Sequence, residues 1–96
     1  MNHKQDRFNK FRNYLRKLMA RCQITGYRLS QIADVDPSTI YRILKGDRVP
    51  SRDTVFRLAK ALFEYSTIVT ERDAQRLIDY AGYPPPRRRL FGQPET

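Results

Sequence analysis

The sequence predicts an all-α fold of five short helices. Three observations carry that prediction. Apolar residues recur at spacings of three and four along five separate stretches. Each stretch after the first opens at a Ser, Thr or Asp able to accept backbone N–H groups. No stretch of useful length alternates apolar and polar residues as a half-buried strand would.

The first helix is read from Phe8, Phe11, Leu15, Leu18 and Cys22, with Tyr14 and Met19 flanking the stripe. Lys10, Arg12, Arg16, Lys17 and Arg21 fall between them and form a charged outer face. These charges are expected to be mostly solvated, with one or two, such as Arg7 or Lys10, reaching a polyanion. Gln23 to Gly26 break the pattern. Thr25 caps a second helix, Gly26 to Ala33, which turns Leu29, Ile32 and Ala33 inward. Asp36 is the cap of a third helix. Pro37 is tolerated at its first position, where a backbone N–H would be unpaired anyway. Ile40, Ile43 and Leu44 form the apolar side of that helix, and Gly46 is its left-handed stop. Arg48, Val49 and Pro50 make a loop. Ser51 caps the fourth helix, with Asp53 in its first turn. Val55, Leu58, Ala59 and Leu62 give it one inward stripe, and Phe56 and Phe63 a second apolar edge. Thr70 caps the fifth helix, which carries Ala74, Leu77, Ile78 and Ala81 inward and ends at Gly82. Pro84, Pro85 and Pro86 then predict an extended exit, followed by Arg87, Arg88 and Arg89.

Ninety-six residues permit one small domain with a modest core. It divides into a core of helices one to four over 1–63, a fifth-helix segment over 64–83 and a Pro/Arg-rich tail over 84–96. The formal net charge is +9, and it is unevenly placed. Residues 1–60 hold fourteen basic and five acidic side chains, whereas 61–96 hold five of each, so the excess belongs to the first two thirds. Such a surplus suits a polyanionic partner, nucleic acid first and an anionic membrane second. Membrane attachment is disfavoured because the apolar stripe of the first helix is needed by the core. No apolar run approaches a membrane span. The first ten residues hold no apolar leader segment, and one cysteine, Cys22, fits a reducing compartment, so a cytoplasmic location is expected. His3 and Cys22 are lone residues without metal-ligand spacing, and no glycine-rich loop could cradle a nucleotide. No cofactor, metal or enzymatic activity is therefore expected. RNA binding lacks the aromatic residues on a sheet that common RNA modules use.

The informative stretch is Thr25 to Leu44. Two short helices meet across a tight turn. Ser30 is small where the second helix crosses the first, and Asp34 stands where the turn needs a left-handed residue. Leu29, Ala33, Val35, Ile40 and Ile43 supply the apolar positions. On these residues, with Asp36-Pro37-Ser38-Thr39, Lys45-Gly46, Pro50-Ser51 and Arg57 to Leu62, the chain resembles the lambda-repressor-like, Cro/XRE family of helix-turn-helix proteins. The resemblance covers roughly 8–63. Two departures are visible: Gly26 stands where the family usually has a glutamine that holds a DNA phosphate, and Asp34 replaces the turn glycine.

The resemblance implies that helices two and three form the helix-turn-helix and that the third lies in the major groove of double-stranded DNA. By position, Ser38, Thr39 and Arg42 are candidates to reach base edges, with Pro37 at the helix start. Tyr41 and Lys45 are placed to touch phosphate or sugar, or, for Tyr41, to pack over the second helix. Arg48, Arg52, Tyr27 and Arg28 are candidate backbone clamps. The implied function is a sequence-specific transcriptional regulator of a prokaryotic cell, phage or mobile element. Its expected form is a homodimeric repressor on a two-fold operator. Phe56, Phe63, Tyr65, Ile68, Tyr80 and Tyr83 are the candidate dimer surface, unless the fifth helix folds back and covers Phe56 and Phe63. The alternative is an antitoxin or adaptor that grips a protein partner through 64–96. The run Arg87–Arg89 reads either as a DNA-grasping arm or as a soluble tail.

Overall fold

The computed structural model describes residues 8–83. Five helices follow one another: α1 (Asn9–Cys22), α2 (Gly26–Ala33), α3 (Pro37–Lys45), α4 (Arg52–Tyr65) and α5 (Glu71–Tyr80). No strand occurs among the described residues. The expectations for His3, Arg7, Pro84–Pro86 and Arg87–Arg89 lie outside them.

Local chemistry sets the ends of these helices. Thr25 Oγ1 accepts the Arg28 N–H at 3.0 Å, Asp36 Oδ1 accepts the Ser38 N–H at 3.1 Å, and Ser51 Oγ accepts the Thr54 N–H at 3.1 Å. Each satisfies a donor that has no partner inside its own helix. Thr70 and Asp73 form a reciprocal capping box, with both bonds at 3.1 Å. At the other ends, Asp34 closes α2 at φ 61° and Gly46 closes α3 at φ 90°. The residue that the turn between α2 and α3 requires is thus left-handed, and an aspartate fills it. Gln23 closes α1 in the same way, at φ 56°. The break in the apolar pattern at Gln23 to Gly26 is thus a left-handed helix end. The fourth helix runs two residues past the boundary drawn at 63, because nothing breaks it before Ser66.

The predicted stripes converge on one core. Phe11, Leu15 and Leu18 from α1, Leu29 from α2, Ile40 and Ile43 from α3, Val55, Leu58 and Leu62 from α4, and Leu77 and Ile78 from α5 are buried. Burying such a side chain is worth about 1.5–3 kcal/mol, so these residues dominate the stability of the fold. Ile32, Val35 and Leu44 are half-buried at the rim of the core, less enclosed than their apolar character predicts. Ser30 is the one buried polar residue of the described set; its hydroxyl donates to the Tyr27 carbonyl, which removes the cost of enclosing it. The small side chain suits the close packing of α2 on its neighbours α3 and α4.

The fifth helix folds back. It packs on α4 and on α1, while α2 packs on α3 and α4, and α1 reaches α3. Tyr14 of α1 and Tyr80 of α5 meet edge to face, 5.2 Å between ring centres. The Tyr14 hydroxyl donates to Asp73 at 3.0 Å, and Arg21 lies 3.6 Å from the same carboxylate. Burial pushes the Asp73 carboxyl up, but bonds from the Thr70 backbone and the Tyr14 and Thr70 hydroxyls, with the Arg21 charge, outweigh it and hold it below the usual carboxylate value. Burial and the Asp73 hydrogen bond raise the Tyr14 phenol. Tyr83, beyond α5, donates its hydroxyl to the Pro50 carbonyl at 2.8 Å and so ties the chain to the loop between α3 and α4.

Candidate nucleic-acid interface

Helix α3 has two sides of different chemistry. Ile40 and Ile43 are fully enclosed, and Leu44 and Thr39 lie at the margins. Advancing about 100° per residue brings Tyr41, Lys45, Ser38 and Arg42 onto one arc about 100° wide. All four are exposed. The burial of one side therefore fixes which side chains the other can offer, and it offers a phenol, an ammonium, a hydroxyl and a guanidinium. The Arg42 side chain has no ion pair or hydrogen bond among the described residues, so its five donors are available to an external acceptor. The Ser38 hydroxyl donates back to Asp36 Oδ1 at 3.2 Å, so at the helix start its proton is already engaged and its oxygen is left to accept. Pro37 is half-buried and serves as the first residue of the helix.

The remaining predicted contacts surround this arc. Tyr27 and Arg28 are exposed in the first turn of α2, and Arg48 is exposed in the loop after α3. Arg28 reaches Gln31 at 3.5 Å. Arg52 is exposed but not extended: its guanidinium lies over the Phe56 ring, 4.6 Å from the centre. Lys45 sits 3.7 Å from Asp47, with both side chains well exposed, an arrangement too open to contribute much stability. Gly26 and Tyr41 touch across the α2–α3 corner. A Cβ added at Gly26 would lie 2.9 Å from Tyr41 Cε1. Of the two roles considered for Tyr41, the structure shows the packing over α2; the ring is still 46% exposed.

Three arginines brace the helix-turn-helix through contacts that the sequence does not signal. Arg16 of α1 donates to the Leu44 carbonyl in the last turn of α3, and the Arg12 guanidinium sits beside Gly46, 3.4 Å from where a Cβ would stand. A helix C-terminus carries partial negative charge, so two guanidinium groups there stabilise the end of α3 and fix its position against α1. Helical period places both on the charged outer face of α1 and cannot tell which exposed charge faces a neighbouring helix end. Arg57 is the third case. It bonds Asp53 at 2.8 Å and the Asp34 carbonyl at 3.1 Å, bracing α4 against the α2–α3 turn. The Asp53 hydrogen bond and charge, helped by Asp34, raise its already high pKa.

The candidate dimer residues divide. Tyr65, the last residue of α4, and Ile68, in the turn that follows, are exposed, 42% and 51%. Phe56, Phe63, Tyr80 and Tyr83 are half-buried and pack against the core of the chain. Among the described residues, no His, Cys, Asp and Glu cluster could hold a metal ion, and no helix is long and apolar enough to cross a membrane.

A family model for helix-turn-helix proteins matches residues 15–69, more than half of the chain and the whole of α2, α3 and α4. Searches of curated proteins and of solved structures returned no match. With its all-α core, capped α2–α3 turn and exposed polar arc on α3, the chain belongs to the Cro/C1-type helix-turn-helix family of DNA-binding transcription regulators.

Proposed function

We propose that the protein is a sequence-specific repressor that binds double-stranded DNA as a homodimer on a two-fold-symmetric operator, with α3 in the major groove. The observation that carries this reading is the arc of Ser38, Tyr41, Arg42 and Lys45 on a helix whose opposite side is locked into the core. Arg42, unpaired among the described residues, would read a guanine through its O6 and N7 acceptors. Thr39, half-buried beside the arc, would meet a thymine methyl at the groove edge. Lys45, Tyr41, Tyr27, Arg28, Arg48 and Arg52 would hold the backbone and set register. Repression needs only occupancy of a promoter and asks for no further surface on the chain. The site of action would be prokaryotic or phage DNA in the cytoplasm.

Two copies on half-sites about 34–36 Å apart would meet through the exposed Tyr65 and Ile68, with the rims of Phe56, Phe63, Tyr80 and Tyr83 beside them. The same exposed pair supports the second reading, an antitoxin or adaptor gripping another protein through 64–96. Selection of bound duplexes from a random pool, followed by sedimentation with and without the selected site, tests the proposal. Enriched palindromic half-sites and a two-to-one complex are expected. A pool that stays random refutes sequence-specific binding. A monomer with and without DNA refutes the homodimer, and a toxin-like neighbouring reading frame whose product binds 64–96 favours the second reading.

A further inference from the structure

The contact between Gly26 and Tyr41 is unusual in its sign. Gly26 has ordinary helical backbone, not a left-handed φ, so its conformation does not require a glycine. Glycine costs about 1 kcal/mol relative to alanine in a helix interior and less at the first position, where Gly26 stands, but it gives no advantage there. Only the present place of the Tyr41 ring asks for it: an added Cβ would lie 2.9 Å from Tyr41 Cε1, 3.1 Å from Cζ and 3.3 Å from the hydroxyl oxygen. The far end of the ring, not its root, is seated on α2. The ring is 46% exposed, and its hydroxyl makes no hydrogen bond among the described residues. Tyr41 lies at the α2 edge of the exposed arc of α3, with Arg42 and Lys45 on the same arc and Arg28 exposed on α2.

We infer that Gly26 is a positioning residue for DNA binding: it leaves a seat in which the Tyr41 phenol is held, and the fixed hydroxyl donates to a backbone phosphate between the cations of α2 and α3. This rests on the DNA-binding reading above and names one contact within it. The phenol is neutral, so it adds a hydrogen bond without releasing a counterion. Its loss therefore lowers affinity equally for every sequence and leaves the salt dependence alone. The seat also separates function from stability. Gly26→Ala improves helix propensity, and the displaced group is the end of a flexible side chain, so the fold is maintained while the hydroxyl is moved.

The test measures binding of the selected duplex and of a random duplex of equal length at several salt concentrations, together with thermal midpoints. Tyr41→Phe is expected to lose about tenfold on both duplexes, with an unchanged salt slope. Gly26→Ala is expected to lose a similar factor with a midpoint equal to or above that of the parent. The double variant is expected to be no weaker than either single, because both remove the same contact. Wild-type affinity in either single variant overturns the inference. So do losses that multiply in the double variant, or a Gly26→Ala loss that accompanies a matching fall in midpoint. If the parent protein itself binds neither duplex, the failure is that of the DNA-binding reading.

Discussion

Replacing Asp73 by alanine removes three contacts at once. The Thr70 N–H loses its acceptor at 3.1 Å, half of the capping box that starts α5. Loss of a cap bond costs about 0.5–1 kcal/mol. The Tyr14 hydroxyl, 3.0 Å away on a ring only 9% exposed, is left without its acceptor, at about 1 kcal/mol. The ion pair with Arg21 adds about 0.5 kcal/mol, since Arg21 is 42% exposed and screened. The sum is about 2 kcal/mol, which in a domain of this size lowers the thermal midpoint by roughly 8–16 °C. Urea unfolding followed by circular dichroism measures it directly. A loss below about 1 kcal/mol would refute the view that this carboxylate latches α5 onto α1. Asp73→Asn isolates the charge. The folded carboxyl is held below the ordinary aspartate value, so its contribution is present above about pH 4 and is lost as pH falls through the folded value. The stability gap between the parent and Asp73→Asn is accordingly expected to be constant from pH 7 to 5 and to shrink in more acid solution.

Three further outcomes are expected. Arg42→Ala should relax base preference at one position per half-site and cost about 1–3 kcal/mol on the selected duplex, read by titration against single-base variants; unchanged relative affinities would remove Arg42 from base reading. Lys45→Ala should weaken all duplexes alike and reduce the steepness of the salt dependence by about one charge, read from binding at graded salt. Asp34→Gly should stabilise the fold by about 0.5–1 kcal/mol, because φ 61° suits glycine better and the Arg57 contact that it gives up is exposed; chemical unfolding checks the sign.

The parts of this structure that follow from neighbours in the chain were legible in the sequence. Thr25, Asp36 with Pro37, Ser51 and Thr70 announce helix starts because a side-chain oxygen reaches N–H groups only two or three residues away. Gly46 and Asp34 announce ends because their backbone must turn left-handed. The stripe of Val55, Leu58, Ala59 and Leu62 follows from the 3.6-residue period. The arc on α3 was legible for the same reason, since burying Ile40 and Ile43 leaves little choice for Arg42 and Lys45. The contacts that join distant positions were not legible. Arg16 on the Leu44 carbonyl, Tyr14 on Asp73, Tyr83 on Pro50 and the particular residue of α2 that meets Tyr41, whose packing over that helix was one of its two expected roles, depend on how helices are rotated against one another, which no local period encodes. A glycine where a helix gains nothing from glycine was the one available signal for the last of them.

The bond between Tyr14 and Asp73 spans 59 positions of the chain. A ribosome adding about 5–20 residues each second supplies the acceptor roughly 3–12 s after the donor. Helices α2 and α3 are therefore made, and can form their capped turn, well before α1 has the partner that holds it in place. During that interval Tyr14 and the apolar stripe of α1 have only α2 to α4 to settle against. Synthesis of α5 is the event that commits the nascent chain to its final packing. A pause in translation before Thr70 would lengthen the interval in which the unfinished core is open to chaperones and proteases.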